Sequence, residues 1–276
     1  MVPLAEAADA SLFGGKAAQL AVALHRGLPV PPGVAVAWPL VESVAGGDDG
    51  ATRQVVEACV RLGGPLVVRS SAVGEDSGRA SFAGQHTSVL AVEGPGAVAR
   101  AVREVWQSAT TGPALAYRRR LGLPDTVRVG VVVQQLVDAE VAGVLFDVNP
   151  VTGADEVVVE SSWGLGEAVV AGLVTPDFFR LGPDGEVRER RPGMKDLEVR
   201  PSPAGGTRSL AVDGERARAP SLSDGQLRQL HALALRCRDV YGGSQDVEWA
   251  FAGGELWLLQ RRPLTVSSGG GAAVDG

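Results

Sequence analysis

Cysteine is nearly absent: Cys59 and Cys237 are the only two in 276 residues, too few and too far apart for a disulfide framework or a metal cluster. Two apolar thiols buried in a reducing cytoplasm are the simplest expectation for them. Positive charge is not in excess either. Lys and Arg total 26 against 32 Asp and Glu, for a net charge of −6, which argues against a general nucleic-acid or anionic-membrane binder. No apolar run approaches the roughly eighteen residues of a membrane span, and the N-terminus lacks a basic stretch leading into an apolar core. A cytoplasmic protein with no membrane or nucleic-acid partner is therefore expected. Lysine is the last scarcity: Lys16 and Lys195 stand alone among 26 basic residues. A compact ammonium and a planar guanidinium are not interchangeable at a phosphate, so both lysines are singled out.

What remains is ordinary for a globular chain, 45% hydrophobic and 21% charged, and long enough for one large domain or two lobes. Its most informative stretch is near the C-terminus. Gln245 to Phe251 and Glu255 to Pro263 read as two strands around Ala252-Gly253-Gly254, rich in aromatic and branched residues. A three-residue loop would set Phe251 opposite Glu255 and Asp246 opposite Gln260. Glu248, Gln260 and Arg262 would then share one face of the sheet, because side chains alternate along a strand. A two-residue Gly-Gly turn would shift the pairing and throw Gln260 to the other side. A carboxylate, an amide oxygen and a guanidinium on one face suit Mg²⁺ and phosphate; an ordinary surface hairpin is the alternative.

From the N-terminus, Gly14-Gly15-Lys16 opens a helix that Gly27 ends. Its turn amides and lysine could receive a phosphate, or be only a capped helix start. It is not a Walker loop, since Ala17 follows the lysine where Ser or Thr is required. Pro29 to Gly33 is a rigid turn, with His25 beside it in a structural role. A helix over 52–62 precedes a buried strand over 65–72 that delivers Arg69, Ser70 and Ser71. The glycine-rich stretch 74–86, which includes Gly84 and His86, is either a loop over phosphates or plain surface, and a strand over 88–92 follows. Helices are expected over 96–107 and 113–121. The almost continuous apolar run 127–136 is a strand buried on both faces, leading into Gln134-Gln135-Leu136-Val137 where the chain changes lobes. Strands over 141–147, 156–161 and 178–181 continue the sheet. Residues 182–220 are expected as exposed loops and short strands around Lys195, their charges a solvated face. Residues 222–241 form an amphipathic helix capped by Ser223 or Asp224, with His231 on its outer side. The tail 266–276 is expected to be disordered.

Taken in order, these stretches resemble the N-terminal ATP-binding domain of phosphoenolpyruvate synthase, pyruvate phosphate dikinase and rifampicin phosphotransferase. The resemblance rests on Gly14-Gly15-Lys16, Val68 to Ala72, Ala80 to Gln85, Val133 to Val137, Asn149 to Gly153, Trp163 to Glu167, Gly193-Met194-Lys195, Asp246 to Trp249 and Gln260 to Pro263. It implies an α+β, ATP-grasp fold with lobes at 1–136 and 137–265 closing on ATP. By motif position, Lys16 and Arg69 would hold phosphates, with Arg262 as a further phosphate contact, and these three carry the catalytic role. Gly84 and Ser88 would belong to the covering glycine loop, Ser88 standing where the family commonly has Thr. Gln134, Gln135 and Val137 would meet the adenine, and Glu248 and Gln260 would be Mg²⁺ ligands. In the family ATP is split to AMP and the β-phosphoryl group passes to a histidine on a separate swivelling domain. None of His25, His86 and His231 sits in such a motif, so a partner carrying the phosphorylatable histidine is expected. A non-catalytic ATP-sensing regulatory module and an excised piece of a longer enzyme are the alternatives.

Overall fold

The computed structural model describes residues 1–74, 88–120 and 127–264. Five strands, β1 (Val2–Pro3), β2 (Gly33–Val36), β3 (Leu66–Ala72), β4 (Ser88–Val92) and β5 (Val129–Gln135), form one antiparallel sheet in the order β1-β2-β5-β3-β4. A second sheet contains β6 (Val141–Phe146), β7 (Val157–Trp163), β8 (Asp177–Leu181) and β9 (Val187–Arg191). A separate two-stranded ladder, β10 (Leu197–Pro201) with β11 (Thr207–Ala211), comes next in the chain, before β12 (Gln245–Ala252) and β13 (Glu255–Pro263) complete the second sheet in the order β13-β12-β6-β7-β8-β9. The nearly unbroken apolar sequence of β5 follows from its central place, covered on both faces.

Helices α1 (Ala10–Phe13), α2 (Gly15–His25), α3 (Trp38–Ala45), α4 (Asp49–Val60), α5 (Pro95–Ala109), α6 (Gly112–Arg120), α7 (Glu167–Val170), α8 (Gly214–Arg218) and α9 (Asp224–Tyr241) complete the described fold. The architecture is α+β, with two antiparallel sheets facing a common cleft in the ATP-grasp arrangement. One apolar cluster packs α3, α4 and α5 on the first sheet through Val41, Val55, Val102 and Val133. A larger one lies on the second sheet and joins Leu4, Leu20 and Val132 to Leu145, Phe179, Leu230 and Trp249. The stripe of α9 is buried as expected, Leu227 to Cys237, behind a reciprocal capping box between Ser223 and Gln226.

Several expectations change. Helix α3 was not foreseen over Trp38–Ala45; Pro39 sits in its first turn, where a missing N–H costs nothing. Residues 182–220 are short strands and loops, mostly exposed as expected, but Lys195 is not part of that solvated face. Lys195 is fully buried, bonded at 2.6 Å to the equally buried Asp177. That carboxylate also accepts from the backbone N–H of Gly193 (2.8 Å) and of Ser221 (2.6 Å), so a lysine can sit inside because every charge finds a partner. His231 is half-buried rather than outward, packed under Gly185, where a Cβ would come 3.1 Å from its Nδ1. The loop expected over 74–86, with Gly84 and His86, lies from residue 75 on outside the described residues, as does the tail 266–276.

Candidate nucleotide site

The C-terminal hairpin departs from the expected loop length. Ala252 pairs with Glu255, leaving Gly253 and Gly254 as a two-residue turn, with φ of +58° and +80° that glycine adopts without a Cβ penalty. Phe251 therefore faces Leu256, and a regular ladder from there would oppose Glu248 to Leu259. Instead the register shifts between Glu248 and Trp249, Leu259 is the extra residue, and Glu248 pairs with Gln260 and Asp246 with Arg262. The bulge restores the shared face that the short turn alone would have destroyed. It also turns the Leu259 carbonyl to Arg69, whose Nη1 donates to it at 2.6 Å.

Arg69 comes from the centre of β3 and reaches across to the second sheet, its Nη2 3.7 Å from Glu248 Oε2. Burial pushes the guanidinium below its ordinary range, against the pull of Glu248 and with the repulsion of Arg262. Its Nε is buried without an acceptor among the described residues, a cost of the kind that a bound anion would remove. On the other side of Glu248, Arg262 Nη2 stands 3.9 Å from Oε1. With its amide turned so that the oxygen faces the guanidinium, Gln260 accepts from Arg262 Nε at 2.7 Å and Nη2 at 2.5 Å.

Lys16 is carried by the start of α2 and is buried, its Nζ donating to the Ser70 carbonyl at 2.9 Å. The Gly-Gly turn before it serves packing: a Cβ on Gly14 would come 1.9 Å from the Ser71 carbonyl oxygen. The amides beside it are in use, Gly14 N–H on the Ala10 carbonyl and Ala17 N–H on Ser71 Oγ. The turn therefore presses the helix onto β3, with the Gly14 and Ala17 amides already bonded within the protein. Gln134 and Gln135 leave β5 next to the hinge, their amides donating to the Pro31 carbonyl (3.0 Å) and the Leu62 carbonyl (2.6 Å).

These residues converge. Lys16, Arg69, Ser88, Gln134, Gln135, Val137, Glu248, Gln260 and Arg262 all line one cavity of 460 Å³ between the two sheets. Every proposed site residue within the described segments is there; Gly84 lies outside them. Sequence reasoning missed the apolar walls Val67, Leu90, Leu165 and Leu259, and Glu167 at the rim. Val67 and Leu90 were within reach, because they stand two residues from Arg69 and Ser88 on the same strand faces. The bulged Leu259 had no such signal.

A metal would find two hard oxygen donors here, the Glu248 carboxylate and the Gln260 amide. Among the described residues no cluster of three or more His, Cys, Asp or Glu is positioned for a metal. Two protein oxygens suit Mg²⁺, which keeps waters and takes its other ligands from phosphates, and the buried guanidinium beside them fits such a group.

Comparison with known proteins gives the family and the fold. The family described as pyruvate phosphate dikinase, AMP/ATP-binding domain, matches residues 49–274. A rifampicin phosphotransferase of Streptomyces sviceus is 42% identical over 82% of this chain and 26% of its own length. A probable phosphoenolpyruvate synthase of Methanothermobacter thermautotrophicus is 34% identical over 93% of this chain and 44% of its own. The chain thus spans less than half the length of these curated relatives. Among solved structures, PH1788 of Pyrococcus horikoshii shares the fold at a TM-score of 0.50 and 14% identity, over 95% of this chain and 96% of that one. A cleft between two antiparallel sheets, ringed by the motif residues in their expected order, and a family match over most of the sequence lead to one assignment: the chain belongs to the pyruvate phosphate dikinase AMP/ATP-binding domain family.

Proposed function

We propose that the chain binds Mg·ATP in the cleft between its sheets and transfers a phosphoryl group to a histidine on a partner domain. The observation that carries this is the convergence of all nine described motif residues on one 460 Å³ cavity. Residues 1–136 and 137–265 supply its two walls. The base lies against Val67, Leu90, Leu165 and Leu259 and meets Gln134, Gln135 and Val137 at the hinge. Lys16, Arg69 and Arg262 hold the phosphates, with Ser88, at the start of β4, lining the same cavity. Glu248 and Gln260 hold Mg²⁺, which supplies additional charge neutralisation on the phosphate oxygens.

Phosphoryl transfer asks a protein for alignment and charge neutralisation more than for covalent help, and three cations lining one cleft provide both. The acceptor comes from elsewhere. Among the described residues, His25 is exposed at the end of α2 and His231 is packed under Gly185, neither in the cavity lining; His86 lies outside the described residues. The test is ATP turnover with product analysis, AMP against ADP, with and without a swivelling-domain protein carrying a phosphorylatable histidine. AMP formation and label on the partner's histidine are expected. Nucleotide bound without transfer to any partner would make the chain an ATP-sensing module instead.

A further inference from the structure

Arg262 does more than wait for a phosphate. With the Gln260 amide turned so that its oxygen faces the guanidinium, Nη2 lies 2.5 Å from that oxygen and, more loosely, 3.9 Å from Glu248 Oε1, so one guanidinium nitrogen contacts one oxygen assigned to the metal and stands near the other. Its Nε makes a second contact with the same amide oxygen at 2.7 Å. An amide oxygen has two lone pairs, and Nε and Nη2 occupy both, so a cation that used this oxygen as a ligand would have to displace the guanidinium. Arg262 and a metal therefore cannot share this pair of oxygens in the arrangement seen. Arg69 stands on the far oxygen of Glu248, 3.7 Å away, but its Nη1 is tied to the Leu259 carbonyl. Arg262 is the movable member, its side chain 27% exposed against 10% for Arg69.

We propose that Arg262 acts as a competitive plug on the metal ligands, released only when a polyphosphate takes its guanidinium, so that the site refuses a bare divalent cation and accepts the metal together with a nucleotide. This rests on the assignment of Glu248 and Gln260 as metal ligands. A bidentate oxyanion is the stronger partner for a guanidinium than a neutral amide, and its arrival frees both oxygens at once.

The experiment titrates Mn²⁺ alone, followed by electron paramagnetic resonance, into the wild type and into the Arg262→Met and Arg262→Lys variants, each checked for folding by circular dichroism. Arg262→Met should bind free Mn²⁺ at least about tenfold more tightly than the wild type, since a neighbouring cation and a steric block are removed together. Arg262→Lys keeps the charge but cannot make the paired contact with the Gln260 oxygen, and it should also gain affinity. If Arg262→Lys stays at the wild-type value, the effect is only that of the local field and the plug is overturned. No gain in Arg262→Met overturns it as well. Glu248→Gln, titrated with Mn²⁺ in the presence of a non-hydrolysable ATP analogue, separates the two levels. If that variant loses the bound metal while Arg262→Met gains nothing, the metal assignment stands and the plug alone fails. If it keeps the metal unchanged, the assignment fails and the inference with it.

Discussion

The ion pair between Lys195 and Asp177 is bound into its surroundings at every donor and acceptor position that can be followed. Asp177 Oδ1 takes Lys195 Nζ and the Gly193 N–H, while Oδ2 takes the N–H and hydroxyl of Ser221. Removing the lysine leaves a fully buried carboxylate without its counter-charge, a change that costs about 3–5 kcal/mol. Lys195→Met should therefore lower the free energy of unfolding by that amount in urea denaturation, and a loss below about 1 kcal/mol would show that the pair is not the anchor. The two thiols give a second residue-scale expectation. Burial pushes both Cys59 and Cys237 up to about 12. In the unfolded chain they ionise near the ordinary thiol value of 9.0, so between these values the folded state holds more protons than the unfolded one. Stability is thus fully present below pH 9 and falls as pH rises toward 12, and Cys59→Ala/Cys237→Ala should flatten that alkaline slope in a pH series of denaturation curves. An unchanged slope would remove the thiols as its source.

At the scale of elements, the hairpin β12–β13 shows how a local turn and a distant site are tied together. Gly254 has φ of +80° and open space where a Cβ would go, so Gly254→Ala is penalised by backbone strain alone, about 1–2 kcal/mol. Gly253 lies at +58°, in the left-handed region that asparagine tolerates, and Gly253→Asn should cost much less. Thermal melts of the two variants check this, and equal melting temperatures would contradict it. Such a turn was legible in the Gly-Gly pair, yet its length was not, and neither was the bulge at Leu259 that compensates for it. The shared face of Glu248 and Gln260 was thus anticipated from a register the chain does not use. Periodicity located α9 through its regular stripe, and β3 and β5 showed as short continuous apolar runs because both faces of each are buried. It missed α3, whose Pro39 reads as a break until its place in the first turn is known. Composition also misread Lys195 within an otherwise exposed segment, since it counts charges without seeing that Asp177, 18 residues away in sequence, neutralises this one. The site itself was the more legible part, because its polar residues fall at the ends of apolar strands, where a backbone pattern fixes their direction.

For the whole molecule, the two walls of the cleft are not two separately built bodies. The larger apolar cluster draws Leu4, Leu20, Leu28 and Val132 into the same core as Leu145, Phe179, Leu230, Trp249 and Leu258. Polar contacts follow the same seam: Tyr241 Oη donates to the Gln19 carbonyl at 2.7 Å, Arg261 Nη1 to Gln19 Oε1 at 3.1 Å, and Leu258 N–H to the Pro29 carbonyl at 2.7 Å. Helix α2, which carries Lys16 to the first sheet, is therefore anchored in the core of the second. A fragment ending at residue 136 would expose one side of that core, and one beginning at 137 would lose the helix covering it. The full chain should then unfold in a single transition, with far-ultraviolet circular dichroism and tryptophan fluorescence coincident across a urea titration, while neither fragment folds by itself. Mg·ATP at a hundred times its dissociation constant should shift that one transition as a unit, by about 2.7 kcal/mol. Two resolved transitions, only one of them moved by nucleotide, would instead mean that the walls fold independently and that the shared core contributes little to holding Lys16 over the cleft.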